Sequence, residues 1–126
     1  AYCPSEKWVE EFSRYDAGCY MPTTAGTGEI CSVSCGISEY PARVGTLAAA
    51  GLPMILRRNT GHIVASKELS EQYGIGILYD SITELSAQLY DRDFMDTLKR
   101  NVRKHRMEFT MDTHTSKLIH FFQSLI

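Results

Sequence analysis

A stretch near the middle of the chain, residues 36–58, combines residue types that suit the binding of a phosphate group. It reads GISEYPARVGTLAAAGLPMILRR. Pro41 favours the first turn of a helix, where its missing N–H costs nothing, and Gly51 is typical of a left-handed helix C-cap. The pattern therefore predicts a loop, a short helix and a buried strand. The free backbone N–H groups and the positive dipole end of such a helix attract an anion.

The elements that must position this stretch alternate along the chain. Hydrophobic patterning predicts the order helix, strand, loop, helix, strand, helix, strand, helix, helix. The strands are expected at 16–21, 54–56 and 75–79, and 30–33 could add a fourth. Such an alternation predicts an α/β fold in which a Rossmann-like parallel sheet is flanked by helices on both faces. Ligands in such sheets bind at the carboxyl ends of the strands.

A doubly wound domain has more strands than this chain shows. We therefore expect the first strands of the sheet to be missing and residues 1–126 to form a single domain that is part of a longer protein. The absence of a starting Met agrees with this expectation. The first residues also lack a basic region followed by an apolar segment, so we expect no signal peptide.

Local signals predict where several helices begin. Ser5 is the expected N-cap of the first helix, Ser81 and Glu84 form a capping box, and Asp91 or Asp93 caps the following helix. Three sets of apolar residues lie at helical spacing, and the first set is expected to face the core. Their members are Trp8, Val9, Phe12 and Tyr15; Phe94, Leu98 and Val102, with Phe109 as a further candidate; and, near the end of the chain, Leu118, Ile119, Phe122 and Ile126.

Composition excludes some classes of function. The net charge of -2 gives no overall attraction to nucleic acid or anionic membrane, and no apolar run could span a bilayer. The basic cluster at 99–106 alternates with apolar residues, which favours a solvated helix face. Cys31 and Cys35 lie four apart without two further ligands at suitable spacing, so we expect free thiols in a reducing cytoplasm and no metal.

In the stretch from Tyr40 to Ile55, YPARVGTLAAAGLPMI, the chain resembles the C-terminal nucleotide-sugar-binding half of GT-B glycosyltransferases. Members of this group often carry Pro-x-Lys and then Glu-Tyr-Leu-Ala-Ala-Gly-Leu-Pro-Val-Ile at the same spacing. Residues 74–77 and 81–85, and the ending from 101 to 119, also look like the family. The resemblance covers most of the chain from Asp16 onward and depends on order and spacing.

The resemblance implies that this chain binds the nucleotide-diphosphate part of an activated sugar donor. The sugar would then be transferred to a hydroxyl acceptor. Arg43 stands where a family Lys is common, and it would bind the diphosphate together with the backbone around Ala42. The resemblance also implies that a separate N-terminal domain holds the acceptor and the catalytic base. No cofactor or metal is expected, the isolated chain should be inactive, and the enzyme should be cytoplasmic.

The ribose and sugar contacts depart from the family pattern. Thr46 stands where many members have a Glu that binds the ribose hydroxyls. Ser38 occupies the place of an earlier acidic residue, and Glu39 lies one position away, so either the loop shifts to bring Glu39 in or the site is weakened. Asn59 and Thr60 follow the end of a strand and could contact the sugar or the base.

Each of these residues also has a purely structural alternative. Arg43 could be a solvated surface side chain, and Glu39 could complement the helix dipole. Thr46 could pack within its helix, while Asn59 and Thr60 could form an ordinary turn and N-cap. Two other functions therefore stay open: a non-catalytic α/β module that binds an anionic small molecule, and an interaction domain with a degenerate site.

Overall fold

The computed structural model describes residues 3–19, 42–58 and 65–125. Within these ranges the chain forms three strands and six α-helices, and a short 3₁₀ turn, Ser5–Lys7, precedes the first helix. In chain order the elements are α1 (Trp8–Phe12), β1 (Gly18–Cys19), α2 (Ala42–Ala49), β2 (Met54–Arg57), α3 (Ala65–Tyr73), β3 (Gly76–Tyr79), α4 (Ile82–Tyr90), α5 (Arg92–His105) and α6 (Met111–Gln123). The possible strand at 30–33 lies outside the described residues.

The three strands form one parallel sheet in the order β1-β2-β3. Gly18 pairs with Met54, and Met54 pairs in turn with Gly76, so the sheet is in register across all three strands. Parallel neighbours require a crossover connection, and α2 and α3 lie in the two crossovers. The predicted α/β fold with a parallel sheet is confirmed, and the arrangement is consistent with a Rossmann-like fold.

Helices cover both faces of the sheet. Side chains of a strand alternate between the faces, so Met54 and Leu56 enter one core while Ile55 enters the other. The larger core contains residues of α2, β2 and α5 and the buried Ile75, and α3 packs against it through Leu69 and Tyr73. The smaller core joins Ile77 to Met95 and Leu98 of α5, with Leu85 of α4 alongside.

The helix α5 serves both cores because its apolar stripe is long. Leu98 and Val102 are buried, and Phe94 packs against the smaller core as the sequence predicts. The basic residues beside this stripe are exposed, with two exceptions: Lys99 is partly buried and bonded to Asp16, and His105 is partly buried against the ring of Tyr73. The predicted solvated face of α5 is therefore confirmed for Arg100, Arg103, Lys104 and Arg106, which are exposed.

Two glycines in the left-handed conformation turn the chain sharply from a helix into a strand. Gly51 has a φ of 78° and Gly74 a φ of 58°. After α3, the Gly74 N–H bonds to the Glu71 carbonyl and the Ile75 N–H to the Ser70 carbonyl, which is the Schellman pattern. The same pair of bonds follows α2, as the sequence predicts for Gly51.

The predicted caps of α4 and α5 are present. The Ser81 hydroxyl accepts the Glu84 N–H at 3.2 Å, and Asp91 rather than Asp93 caps α5 by accepting the Phe94 N–H at 3.0 Å. The Glu84 carboxylate reaches one residue further back than a standard capping box, because it accepts the Asp80 N–H at 2.9 Å. The first turn of α4 is thereby bound to the end of β3.

The prediction for the N-terminal helix is partly wrong. Ser5 makes no capping bond, since its hydroxyl bonds instead to the Glu6 carboxylate. Phe12 packs against the larger core, and α1 ends there after five residues, so Tyr15 lies outside the helix. Trp8 and Tyr15 are both exposed. Local polar contacts satisfy both rings: the Trp8 indole N–H donates to the Cys3 carbonyl, and the Tyr15 hydroxyl donates to Glu11. Val9 is also exposed.

The last helix carries apolar side chains that no described residue buries. A 3₁₀ turn, Arg106–Phe109, follows α5 and separates it from α6. The final apolar face is exposed, because α6 contacts mainly this turn and has no buried residue. Its exposed apolar residues include Leu118, Ile119, Phe121 and Phe122. Ile126, the last member predicted for this face, lies outside the described residues. Among the described helices, none is both long and apolar enough to cross a bilayer.

Candidate functional site

The N-terminus of α2 lies at the carboxyl edge of the sheet. Gly51 ends α2, and only Leu52 and Pro53 separate it from the first residue of β2. Because α2 packs on the sheet through Val44, it must run back antiparallel to the strands. Eight helical residues span about 12 Å, close to the length of four strand residues. Ala42 and Arg43 therefore stand at the edge where ligands bind in such sheets.

Arg43 is exposed in the first turn of α2. It forms no ion pair with any residue in the described part of the chain. Thr46 lies three residues further along the helix, is half-buried, and its carbonyl oxygen accepts the Ala50 N–H at 3.0 Å. The structure thus places Ala42, Arg43 and Thr46 on the first turns of one helix.

The other predicted contacts lie outside the described residues. Ser38 and Glu39 precede α2, while Asn59 and Thr60 follow β2. The last described residue before this second pair is Arg58, which continues directly from β2 at the carboxyl edge.

Arg58 is the centre of a polar network that sequence reasoning missed. Its Nη1 contacts Oδ2 of Asp80 at 2.5 Å, and its Nη2 donates to Oε1 of Glu84 at 2.9 Å. The same Nη2 donates to the carbonyl oxygen of Leu78 at 3.0 Å. The network therefore ties together the end of β2, the end of β3 and the first turn of α4.

The electrostatics of this network follow from its hydrogen bonds. The hydrogen bond from Arg58, together with the backbone N–H of Asp80, holds the pKa of the Glu84 carboxyl below its ordinary value. Reciprocally, the hydrogen bonds to Glu84 and Asp80 raise the pKa of the Arg58 guanidinium. With two carboxylates on one guanidinium, Arg58 does not offer free positive charge to an anion. Arg43 differs from Arg58 in this respect.

Among the described strands β3 is an outer strand, and the network occupies one of its backbone acceptors. The Arg58 N–H donates to the Tyr79 carbonyl, so this carbonyl faces β2. The carbonyl of the preceding residue, Leu78, therefore faces away from β2. Side chains of Arg58 and Gln88 both donate to this outward carbonyl, at 3.0 and 3.2 Å. An acceptor occupied in this way cannot receive an N–H from an additional strand.

A signal for the network was present in the sequence. Arg58 directly follows one strand and Asp80 directly follows the next, and Arg57 pairs with Tyr79. Opposite charges immediately after the ends of two neighbouring parallel strands must come close. To predict this contact from the sequence, one must know that β2 pairs with β3. The hydrophobic pattern of each strand by itself does not show which strands are neighbours.

The described residues show no group of three His, Cys, Asp or Glu side chains placed to hold a metal ion. Cys3 and Cys19 are free thiols, and Cys31 and Cys35 lie outside the described ranges. Comparison of the chain with protein-family models, with curated proteins and with solved structures finds no match. What the structure itself defines is an α/β domain with a parallel sheet and an exposed arginine at a helix N-terminus on its carboxyl edge.

Proposed function

We propose that the chain is part of the C-terminal domain of a GT-B glycosyltransferase and binds the nucleotide-diphosphate part of the sugar donor. The observation that carries the proposal is the position of Arg43. It is exposed, has no described ion-pair partner, and belongs to the first turn of a helix that starts at the carboxyl edge of the sheet. The order of motifs from Tyr40 onward, which resembles this family, supports the same function.

In the proposed reaction, an acceptor hydroxyl attacks the anomeric carbon of the donor sugar, and the bond to the diphosphate breaks. Negative charge then develops on the departing diphosphate. Arg43 and the free backbone N–H groups around Ala42 would stabilise this charge without having to reorient. The guanidinium fork can donate two parallel hydrogen bonds to phosphate oxygens. The scheme uses no metal or other cofactor.

The proposal requires a partner domain, which would bind the acceptor and supply the catalytic base. Exposed apolar side chains of α1 and α6, among them Trp8 and Phe122, provide surface that such a domain could cover. The isolated chain is then expected to bind a nucleoside diphosphate without transferring sugar. We further propose that the parent enzyme acts in the cytoplasm.

Thermal unfolding with and without UDP or GDP tests this function. A nucleoside diphosphate that binds only the folded chain should raise the unfolding midpoint with increasing concentration, and Arg43→Ala should abolish the shift. Arg103→Ala is the matched control, since Arg103 approaches Gly51 at the opposite end of α2. This variant should retain the full shift.

The outcomes separate a domain that binds diphosphate at α2 from an interaction domain with a degenerate site. If neither diphosphate stabilises the chain at millimolar concentration, the proposed binding function is wrong and an interaction domain with a degenerate site is favoured. If both arginine variants lose the shift equally, the diphosphate binds through general charge rather than at the N-terminus of α2. Sugar transfer by the isolated chain would contradict the need for a partner domain.

A further inference from the structure

An open groove of about 700 Å³ runs along α4 and α5, separate from the N-terminus of α2. One stripe of each helix lines it: positions 82, 85, 86 and 89 of α4, and positions 92, 95, 96 and 99 of α5. Residues at these spacings share one side of a helix. The groove is therefore an elongated surface formed by two helix faces, and its shape suits an elongated partner such as another helix.

Large apolar side chains line this groove and remain in contact with solvent. Ile82 is 70% exposed and Tyr90 is 85% exposed, while Leu89 is partly exposed beside them. The side chains of Leu85 and Met95 lie deeper and belong to the smaller core. Exposed apolar groups that border a groove are typical of an interaction surface.

The charges at the rim constrain the partner. At one end of the groove, Asp16 and Lys99 form an ion pair at 2.6 Å, so their charges are already paired. Arg92 and Asp96 are exposed, lie one helical turn apart, and form no ion pair with any residue in the described ranges. A nucleic acid or an anionic membrane would require charge of a single sign. This rim instead requires a partner that presents one acidic and one basic group in the reverse order.

We propose that the groove is the interface of a two-fold symmetric homodimer of this chain. A two-fold axis perpendicular to α5 makes the two facing helices antiparallel, so Arg92 of each copy would meet Asp96 of the other. The exposed Tyr90 ring would enter the groove of the facing copy, where its apolar body is buried and its hydroxyl stays near water. The same surface would thus supply both the apolar contact and the complementary charges.

Charge reversal tests this interface in the intact chain. Sedimentation equilibrium over a dilution series should show the wild-type mass rising from 14.2 kDa towards twice that value as concentration increases. Arg92→Asp alone or Asp96→Arg alone places like charges opposite each other, and either should weaken the dimer roughly tenfold or more. An equimolar mixture of the two variants restores both opposite-charge contacts, so dimerisation should return in the mixture.

Lys104→Asp is the matched control, because it changes the net charge as Arg92→Asp does but lies outside the groove. It should dimerise like the wild type, and circular dichroism should show that all variants remain folded. A wild-type mass of 14.2 kDa at every concentration would overturn the proposal. So would a dimer that the single charge reversals do not weaken, since that dimer must use another surface such as α6.

Discussion

Arg58 and Glu84 are 26 residues apart in the chain, yet the guanidinium of one donates to the carboxylate of the other at 2.9 Å. Arg58 follows β2 and Glu84 belongs to the first turn of α4, so the whole of β3 lies between the two residues in the sequence. The contact therefore fixes three elements relative to each other at the edge where the candidate ligand site lies. The segment at 59–64, with Asn59 and Thr60, starts from this fixed point.

Removing the guanidinium should weaken the domain. Arg58→Met leaves Glu84 and Asp80 as neighbouring carboxylates without their cation, so we expect the thermal unfolding midpoint to fall by a few degrees. The fall should be modest because the Arg58 and Glu84 side chains are each about one-third exposed (33%) and water screens their interaction. The unfolding midpoint of Arg58→Lys should lie between those of the wild type and Arg58→Met, since one ammonium group cannot reproduce the two-pronged contact of a guanidinium.

Arg57→Met is the control for this series. Arg57 is exposed at the end of β2 and forms no ion pair with another described residue. Its replacement should leave the midpoint close to that of the wild type. Equal midpoints for wild type, Arg58→Lys and Arg58→Met would show that the network does not stabilise the fold.

The same network predicts a dependence of stability on pH. The pKa of Glu84 is lower in the folded chain than its ordinary value of 4.5, so the folded state favours the ionised carboxyl. The resulting stabilisation is complete above that ordinary value and is lost as the pH falls through the lower, folded pKa. Protonation below that point weakens the contact with Arg58.

Unfolding midpoints of the wild type and of Glu84→Gln, measured from neutral to acidic pH, test this direction of the pH dependence of stability. The wild type should be more stable near neutrality, and its advantage should shrink below about pH 4. Glu68→Gln provides the matched control, because Glu68 is exposed on α3 and has no described ion pair. An advantage of the wild type that grows on acidification would contradict the assignment.

Local sequence signals predicted several helix ends correctly, although not the N-cap at Ser5. The Ser81 and Asp91 caps and the glycines that follow α2 and α3 each act over two to five residues, so short patterns contain the necessary information. The Arg58 network could not be read in the same way. It depends on the pairing of β2 with β3, which is a property of the tertiary structure.

Apolar periodicity predicted which residues share a helix face, but not whether anything covers that face. Trp8 and Phe122 follow the helical spacing, and both are exposed. Val102 follows the same rule and is fully buried, because the sheet and α2 lie against it. For the candidate site, the sequence predicted a helix start with Arg43 in the first turn. The ligand of this site remains a prediction.

The two left-handed glycines should respond differently to substitution by alanine. Both variants must bear the strain of a Cβ at positive φ, about 1 kcal/mol for a single residue. At Gly74 the new Cβ would also lie 2.9 Å from Nδ2 of Asn101, which donates to the Gly74 carbonyl. At Gly51 the nearest atom is 3.9 Å away, so Gly74→Ala should be the more destabilising change.

Chemical denaturation of both variants measures the difference. Gly45→Ala is an informative control, since Gly45 lies within α2 and a Cβ there has its nearest contact at 3.8 Å. This change should stabilise the chain by about 0.5–1 kcal/mol, the usual gain of alanine over glycine within a helix. Equal losses at Gly51 and Gly74 would show that Asn101 moves aside without cost.

Thr46 allows a test of how the candidate site recognises its ligand, provided that the proposed diphosphate site exists. A carboxylate at this position could accept two hydrogen bonds from the ribose hydroxyls, which the shorter threonine hydroxyl cannot do. Hydrogen bonds to a charged group contribute about 1.5–3 kcal/mol, so Thr46→Glu should tighten UDP binding by roughly tenfold or more. Isothermal titration calorimetry measures the change directly.

The control at this position is Thr46→Gln, which has the length of glutamate without its charge. Because Thr46 is half-buried in α2, circular dichroism must first show that both variants keep the helix. Thr46→Gln should then tighten binding less than Thr46→Glu, because its amide oxygen carries no charge. If UDP binds the wild type but neither variant binds it more tightly, the ribose does not lie beside Thr46. UDP must then bind at the N-terminus of α2 in a different orientation.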